Sequence, residues 1–305
     1  MLDLLAIVLP VFGLIGIGYA ARWTNFVSER MGEGLSEFVF SLSLPCLIFR
    51  TLVKAEIPAV QPWGYWISYF AGVAVVWTLA MIAGRRLFAL KGVSAVVAGF
   101  SAGQANTVFV GVPMILKAYG EAGAVPLFLL IAVHLPVTMT LATIMAEGRQ
   151  ASPLVIVRRL LTHPIVVGIL AGSACRPLAP HLPGPIWQVV ELLGSAAVPC
   201  ALVSMGIALR RYGLETGWQL PTLISALKLL LHPLIVLLLA THVFSMPPVW
   251  AGVAVLFASC PSGINAYLFA ERYGEGVALA SSAVTLSTVL ALGTTLLWLY
   301  VLGIG

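Results

Sequence analysis

The chain is short of charge: 9% of its 305 residues are Asp, Glu, Lys or Arg, while 60% are hydrophobic. A soluble domain is about a quarter charged, so this scarcity excludes an ordinary water-soluble fold. Aspartate is all but missing, with Asp3 the single example. That excludes an antiporter built on a buried aspartate pair, an aspartyl intramembrane protease and a metal-dependent prenyl transferase. Each of those needs clustered aspartates. The four cysteines, Cys46, Cys175, Cys200 and Cys260, form no C-x-x-C pair. No metal site is therefore predicted, and they read as small buried thiols. H-E-x-x-H and G-x-S-x-G are absent, and serines such as Ser101 and Ser262 have no evident base partner. An enzyme is not predicted, and no cofactor is called for.

What the chain does have is apolar length. Segments of roughly 20 mostly apolar residues recur throughout, each long enough to cross a bilayer core. We place ten spanning helices near 3–22, 34–53, 63–84, 92–117, 123–146, 154–175, 186–209, 219–243, 249–271 and 277–303. The expected fold is an all-α polytopic membrane protein. No polar loop between the spans is long enough for a soluble domain. "MLDLLAIVLPVF" has neither a basic region nor a small-residue cleavage site, so it reads as a retained first span.

The net charge of +5 is better explained by orientation than by nucleic acid. Loops after spans one, three, five, seven and nine hold Arg22, Arg30, Arg85, Arg86, Lys91, Arg149, Arg158, Arg159, Arg210, Arg211 and Arg272. The opposite loops hold Arg50, Lys54, Lys117 and Arg176. Eleven against four makes the richer side cytoplasmic. Both termini are then expected outside, in the periplasm, with the protein in the plasma (inner) membrane and lipid around it.

An internal repeat appears at an ungapped offset of 154. Pro10, Gly18 and Arg22 match Pro164, Gly172 and Arg176; Glu37, Pro45 and Cys46 match Glu191, Pro199 and Cys200. "YGE" at 119–121 returns at 273–275. The halves are 1–150 and 154–305, each of five spans, so the second must enter the membrane inverted. Inverted repeats are typical of secondary transporters, with the substrate near the midplane where discontinuous helices meet.

Two spans at equivalent places are interrupted. Span four reads "QANTVFVGVPMILKAYGE" from Gln104, and span nine reads "FASCPSGINAYLFAERYGE". Gly111 and Pro113 in the first, with Pro261 and Gly263 in the second, are expected to open the backbone. Gln104, Asn106, Thr107, Ser262 and Asn265 are candidates to satisfy the freed groups or a ligand. Broken backbone in hydrocarbon survives only inside protein or beside water.

"NTVFVGVP" followed by "YG", and "PSGINAYLFAERYG", resemble the two crossover segments of the auxin efflux carrier family. The family includes bacterial organic-anion permeases and is related in fold to bile acid–sodium symporters. The resemblance implies a scaffold of spans one, two, six and seven (3–53 and 154–209). It also implies a transport unit of spans three to five and eight to ten (63–146 and 219–303). That unit would slide like an elevator, with Asn106, Pro113, Pro261 and Asn265 at the site and a homodimer formed through the scaffold. The plant exporters carry a proline beside their first-crossover asparagine, whereas Thr107 and Val108 follow Asn106 here. That departure argues against a strictly auxin-like substrate.

Half-helix N-termini favour anions, so the expected substrate is a small organic anion: a carboxylate, dicarboxylate or auxin-like weak acid. Lys228 lies deep in span eight with His232 one turn on. A central lysine costs roughly 2.5–3.5 kcal/mol on insertion scales and is a functional candidate by default. His134, His232, Glu37 and Glu191 are the candidate proton carriers. A structural alternative pairs Arg22 with Glu37 and Arg176 with Glu191 across equivalent hairpins. Neither crossover core holds a carboxylate, so a proton is favoured over sodium as coupling ion. A sodium-coupled symporter of the bile-acid type is one alternative; a non-transporting sensor or a membrane enzyme is another.

Overall fold

The computed structural model describes residues 2–54, 63–148, 164–176, 183–212 and 217–304. Arg149, Arg158, Arg159 and the first ten residues of the expected sixth span lie outside them. Among the described residues the chain is helical, apart from connecting turns and one isolated backbone bridge. The helices are α1 (Leu2–Trp23), α2 (Glu29–Phe38), α3 (Leu44–Lys54), α4 (Trp63–Leu87), α5 (Gly92–Gly103), α6 (Val112–Tyr119) and α7 (Ala124–Glu147). They continue as α8 (Pro164–Ala174), α9 (Gly184–Leu209), α10 (Gln219–Ala226), α11 (His232–Leu238), α12 (Pro248–Ser259), α13 (Ile264–Tyr273) and α14 (Val277–Val301).

Among the described residues, seven helical stretches are long and apolar enough to cross a membrane. They are Leu4–Trp23, Glu29–Lys54, Trp63–Leu87, Thr107–Glu147, Gly184–Leu209, Gln219–Val243 and Val277–Val301. The protein is a polytopic membrane protein. α5 and α12 are apolar but only 12 residues each, about 18 Å at 1.5 Å per residue, too short to span alone.

Prolines shape several of these helices. Wide π turns at Val39–Ser43, Thr107–Gly111 and Leu227–Leu231 each lead into a helix whose second residue is Pro45, Pro113 or Pro233. A proline offers no N–H to the carbonyl four residues back, and the ladder relaxes by one residue around it. At Pro233 a side chain uses the carbonyl this frees: Leu229 O accepts from Trp298 Nε1 at 2.7 Å. Gly111 and Pro113 therefore do not break the first crossover, contrary to expectation. They sit inside and just beyond a π turn, and the break itself lies upstream at Gln104–Asn106.

Packing collects α1, α2, α3, α8 and α9 against one another, with α1 lying along α9. Gly18 and Gly206 make that approach feasible. A Cβ on Gly18 would collide with the Val203 carbonyl, and one on Gly206 with that of Ile15. Small residues bring helix backbones together in just this way in membranes. α4, α5 and α10 to α14 pack among themselves. At their centre α5 and α12 are buried from Ala95 to Gly103 and from Ala251 to Ser259.

Candidate functional site

α5 stops at Gly103 and α12 at Ser259, each in the protein interior. Pro261 explains the second stop, because it cannot donate to Phe257; Gly263 is extended there, at φ −78° and ψ 148°. The two breaks meet, and Ala105 and Ser262 form an antiparallel bridge. The Asn106 N–H donates to Pro261 O at 2.8 Å, and the Gly263 N–H donates to Gln104 O at 3.0 Å. Each break thus satisfies orphaned groups of the other, where an unpaired group in hydrocarbon costs several kcal/mol.

Side chains complete the joint. Ala105 N–H donates to His134 Nε2 at 3.2 Å, and Ser262 N–H to Ser287 Oγ at 3.0 Å. Ser262 Oγ donates to Ser101 O at 2.7 Å, and Thr138 Oγ1 to Gln104 Oε1 at 2.7 Å. His134 accepts at Nε2, so its proton sits on Nδ1 and faces Tyr69 Oη at 3.0 Å. Gly263 must be glycine for the strands to meet: a Cβ there would lie 2.9 Å from Ala105 O.

A cavity of about 510 Å³ opens beside this joint. Asn106, Thr107 and Asn265 line it together, with Phe40, Phe109, Ile131 and Leu135 as apolar walls. Among the described residues the Asn265 amide and the Thr107 hydroxyl have no protein partner; the Asn106 amide donates only weakly, to Met205 Sδ at 3.4 Å. The first residues of α13 and of the Thr107–Gly111 turn also reach the wall, bringing the positive ends of two half-helices to one space.

The remaining wall is charged. Glu29, Glu33 and Glu37 face the cavity from successive turns of α2. Arg211 reaches Glu29 at 3.5 Å, Glu33 at 3.7 Å and Glu271 at 3.1 Å, and lies over the Tyr267 ring. Partial burial opposes its charge, but Tyr267, Glu271, Glu29 and Tyr212 hold the guanidinium above its ordinary range. Glu29 and Glu33 escaped the sequence reading, although the spacing i, i+4, i+8 in "ERMGEGLSEF" carried the signal, and Arg211 was read only for orientation.

Other candidates are placed differently. Gln104 and Ser262 are buried in the joint and Lys228 behind it; none of the three lines the cavity. His134 and His232 are fully buried as well. The pairings of Arg22 with Glu37 and of Arg176 with Glu191 are not among the ion pairs of the described residues. Glu37 lies eight residues, about 12 Å of helix rise, beyond the start of α2, whereas Arg22 ends α1 and turns to Asn25 at 2.7 Å. Glu191 instead meets Lys54 at 3.9 Å and accepts from Trp187 Nε1 at 2.9 Å.

The site is a cavity at two crossing, broken helices of a helical membrane protein, and the comparisons make that protein a transporter rather than an enzyme. The family described as "Membrane transport protein" matches residues 4–299, and the chain belongs to it. A "Putative malonate transporter" of Rhizobium meliloti (strain 1021) is 30% identical over 318 residues, covering 100% of this chain and 98% of that protein. An "Uncharacterized transporter" of Methanothermobacter thermautotrophicus is 25% identical, covering 97% of each. "Auxin efflux carrier component 8" of Arabidopsis thaliana is 20% identical, covering 96% of this chain and 95% of that one. The resemblance to auxin efflux carriers therefore holds across the whole chain.

Proposed function

We propose that the chain is a secondary active transporter of a small organic anion, with a carboxylate held at the crossing. The observation that carries this is the cavity wall. Asn265 and Thr107 present unpartnered polar groups there, beside Asn106 and the positive ends of two half-helices. Such ends accept carboxylates without a neighbouring lysine. The relative's name points to a dicarboxylate such as malonate. A cavity of about 510 Å³ also has room for a larger weak acid.

In this reading the two breaks are equivalent parts of inverted five-span repeats, ten spans in all. The mutual pairing of Ala105 and Ser262 supports it. α1 to α3, α8 and α9 act as scaffold and dimer surface. α4 to α7 and α10 to α14 move past them as the elevator, carrying the anion. The mouth at Glu29 and Arg211 faces the cytoplasm if the arginine-rich loops do, so the cavity is the inward-facing site of an inner-membrane carrier. Glu37 lines the cavity without a partner among the described residues, which supports it as the proton carrier that accompanies the anion.

The test is a thermal-shift series of mono- and dicarboxylates, malonate included, followed by uptake of the best binder into proteoliposomes. Saturable uptake with competition among carboxylates is expected, and a flux that rises without limit would make the protein a channel. Asn265→Ala and Asn106→Ala should each weaken apparent affinity about tenfold or more, the value of a hydrogen bond to a charged group.

A further inference from the structure

Lys228 is the one charged residue fully buried among the described residues, and no carboxylate is buried with it. The π turn Leu227–Leu231 sets its side chain toward α12 rather than toward the cavity. Its Nζ donates to Ala258 O at 2.6 Å and lies 3.2 Å from His232 Nδ1. With Nδ1 accepting from the ammonium, His232 is neutral and keeps its proton on Nε2.

Ala258 O is open to a cation because α12 has ended. In a continuing helix it would accept from the Ser262 N–H, four residues on. Ser262 N–H donates to Ser287 Oγ instead. Ala258 thus sits at the carbonyl end of a half-helix, where the dipole is negative and a cation is favoured. In transporters with broken helices, such ends and unwound carbonyls hold the coupling sodium or proton, while the opposite half-helix ends face the anion.

We propose that Lys228 is a built-in replacement for that dissolved cation. Its ammonium, tethered to the chain, caps α12 and fixes the Pro261–Asn265 segment in the shape that receives the anion. Lys228 is then a positioning residue and not a substrate ligand. The anion at the crossing supplies countercharge to it, and binding needs no sodium. This rests on the reading of the crossing as an anion site, but its test has an arm that does not.

Purified wild type, Lys228→Ala and Lys228→Met are melted in choline, sodium and methylammonium chloride, and malonate uptake is measured in the same salts. Wild type should melt alike in choline and in sodium. Lys228→Ala should melt several degrees lower in choline and recover in methylammonium, which fits the space and returns the charge. Lys228→Met fills the space without charge, so it should stay low in every salt. Uptake should follow the same order and be unaffected in wild type when choline replaces sodium.

Sodium raising the melting point of wild type would overturn the proposal. So would Lys228→Met melting like wild type, or Lys228→Ala failing to recover in methylammonium. If neither variant folds, the wild-type comparison of sodium with choline decides alone. Absence of malonate uptake in every protein, with the melting pattern as expected, would count against malonate as substrate and leave the role of Lys228 standing.

Discussion

Asn106 and Pro261, from opposite halves of the sequence, are joined by a 2.8 Å hydrogen bond from the Asn106 N–H to the Pro261 carbonyl. Both lie just past helices that stop short inside the protein, and the bond lets each stop satisfy the other. Asn106 therefore plays two parts: its backbone closes the joint while its side chain borders the cavity.

That joint depends on the missing side chain at Gly263. Gly263→Ala places a methyl 2.9 Å from the Ala105 carbonyl, which is backbone and has little room to retreat. We predict a loss of about 1–3 kcal/mol, the usual cost of overpacking, read as a lower melting temperature, together with a fall in uptake.

His134 is bound at both ring nitrogens, to the Ala105 N–H and to Tyr69 Oη. His134→Ala leaves a buried backbone donor without a partner, at a cost of about 1–3 kcal/mol. The variant should melt early. The pH dependence of whatever uptake survives should match wild type; a flattened profile would instead make His134 the proton carrier.

Glu37 is the test of proton coupling. Glu37→Gln keeps the shape and removes the carboxylate, so uptake driven by an imposed proton gradient should fall while anion binding persists. Gradient-driven uptake unchanged from wild type would assign proton coupling to another residue.

Arg211 neutralises the acidic mouth. Its partners are all partly exposed, and pairs of this kind contribute only about 0–1 kcal/mol each. Arg211→Ala should therefore melt nearly as wild type does. It should nevertheless raise the KM for an anion, because Glu29, Glu33 and Glu271 are left facing the entrance. The defect should shrink as salt is added, since screening shortens the reach of exposed charge.

Much of this was legible in the sequence. Apolar length and missing charge fixed a helical membrane protein, because a bilayer admits little else. Pro261 and Gly263 announced the second break by their own backbone chemistry. The first break was harder to read. Gly111 and Pro113 drew attention, but a helix can absorb such a pair with a π turn, and the chain opens at Gln104–Asn106 instead. Pairing partners were harder still, and Arg22–Glu37 failed because sequence matching says nothing about height along a helix.

By itself, then, the sequence determined the solvent this chain lives in, its helices and the neighbourhood of its two interruptions. These follow from local composition and from single prolines and glycines. Tertiary structure decided which polar groups remain for a ligand. Gln104 and Ser262 carry the same chemistry, amide and hydroxyl, as Asn265 and Thr107. They differ only in that the folded joint uses their hydrogen bonds, whereas the cavity leaves those of Asn265 and Thr107 unmade. Lys228 makes the same point: its charge was visible from the start, but only packing against α12 showed that it faces a carbonyl end and not the cavity.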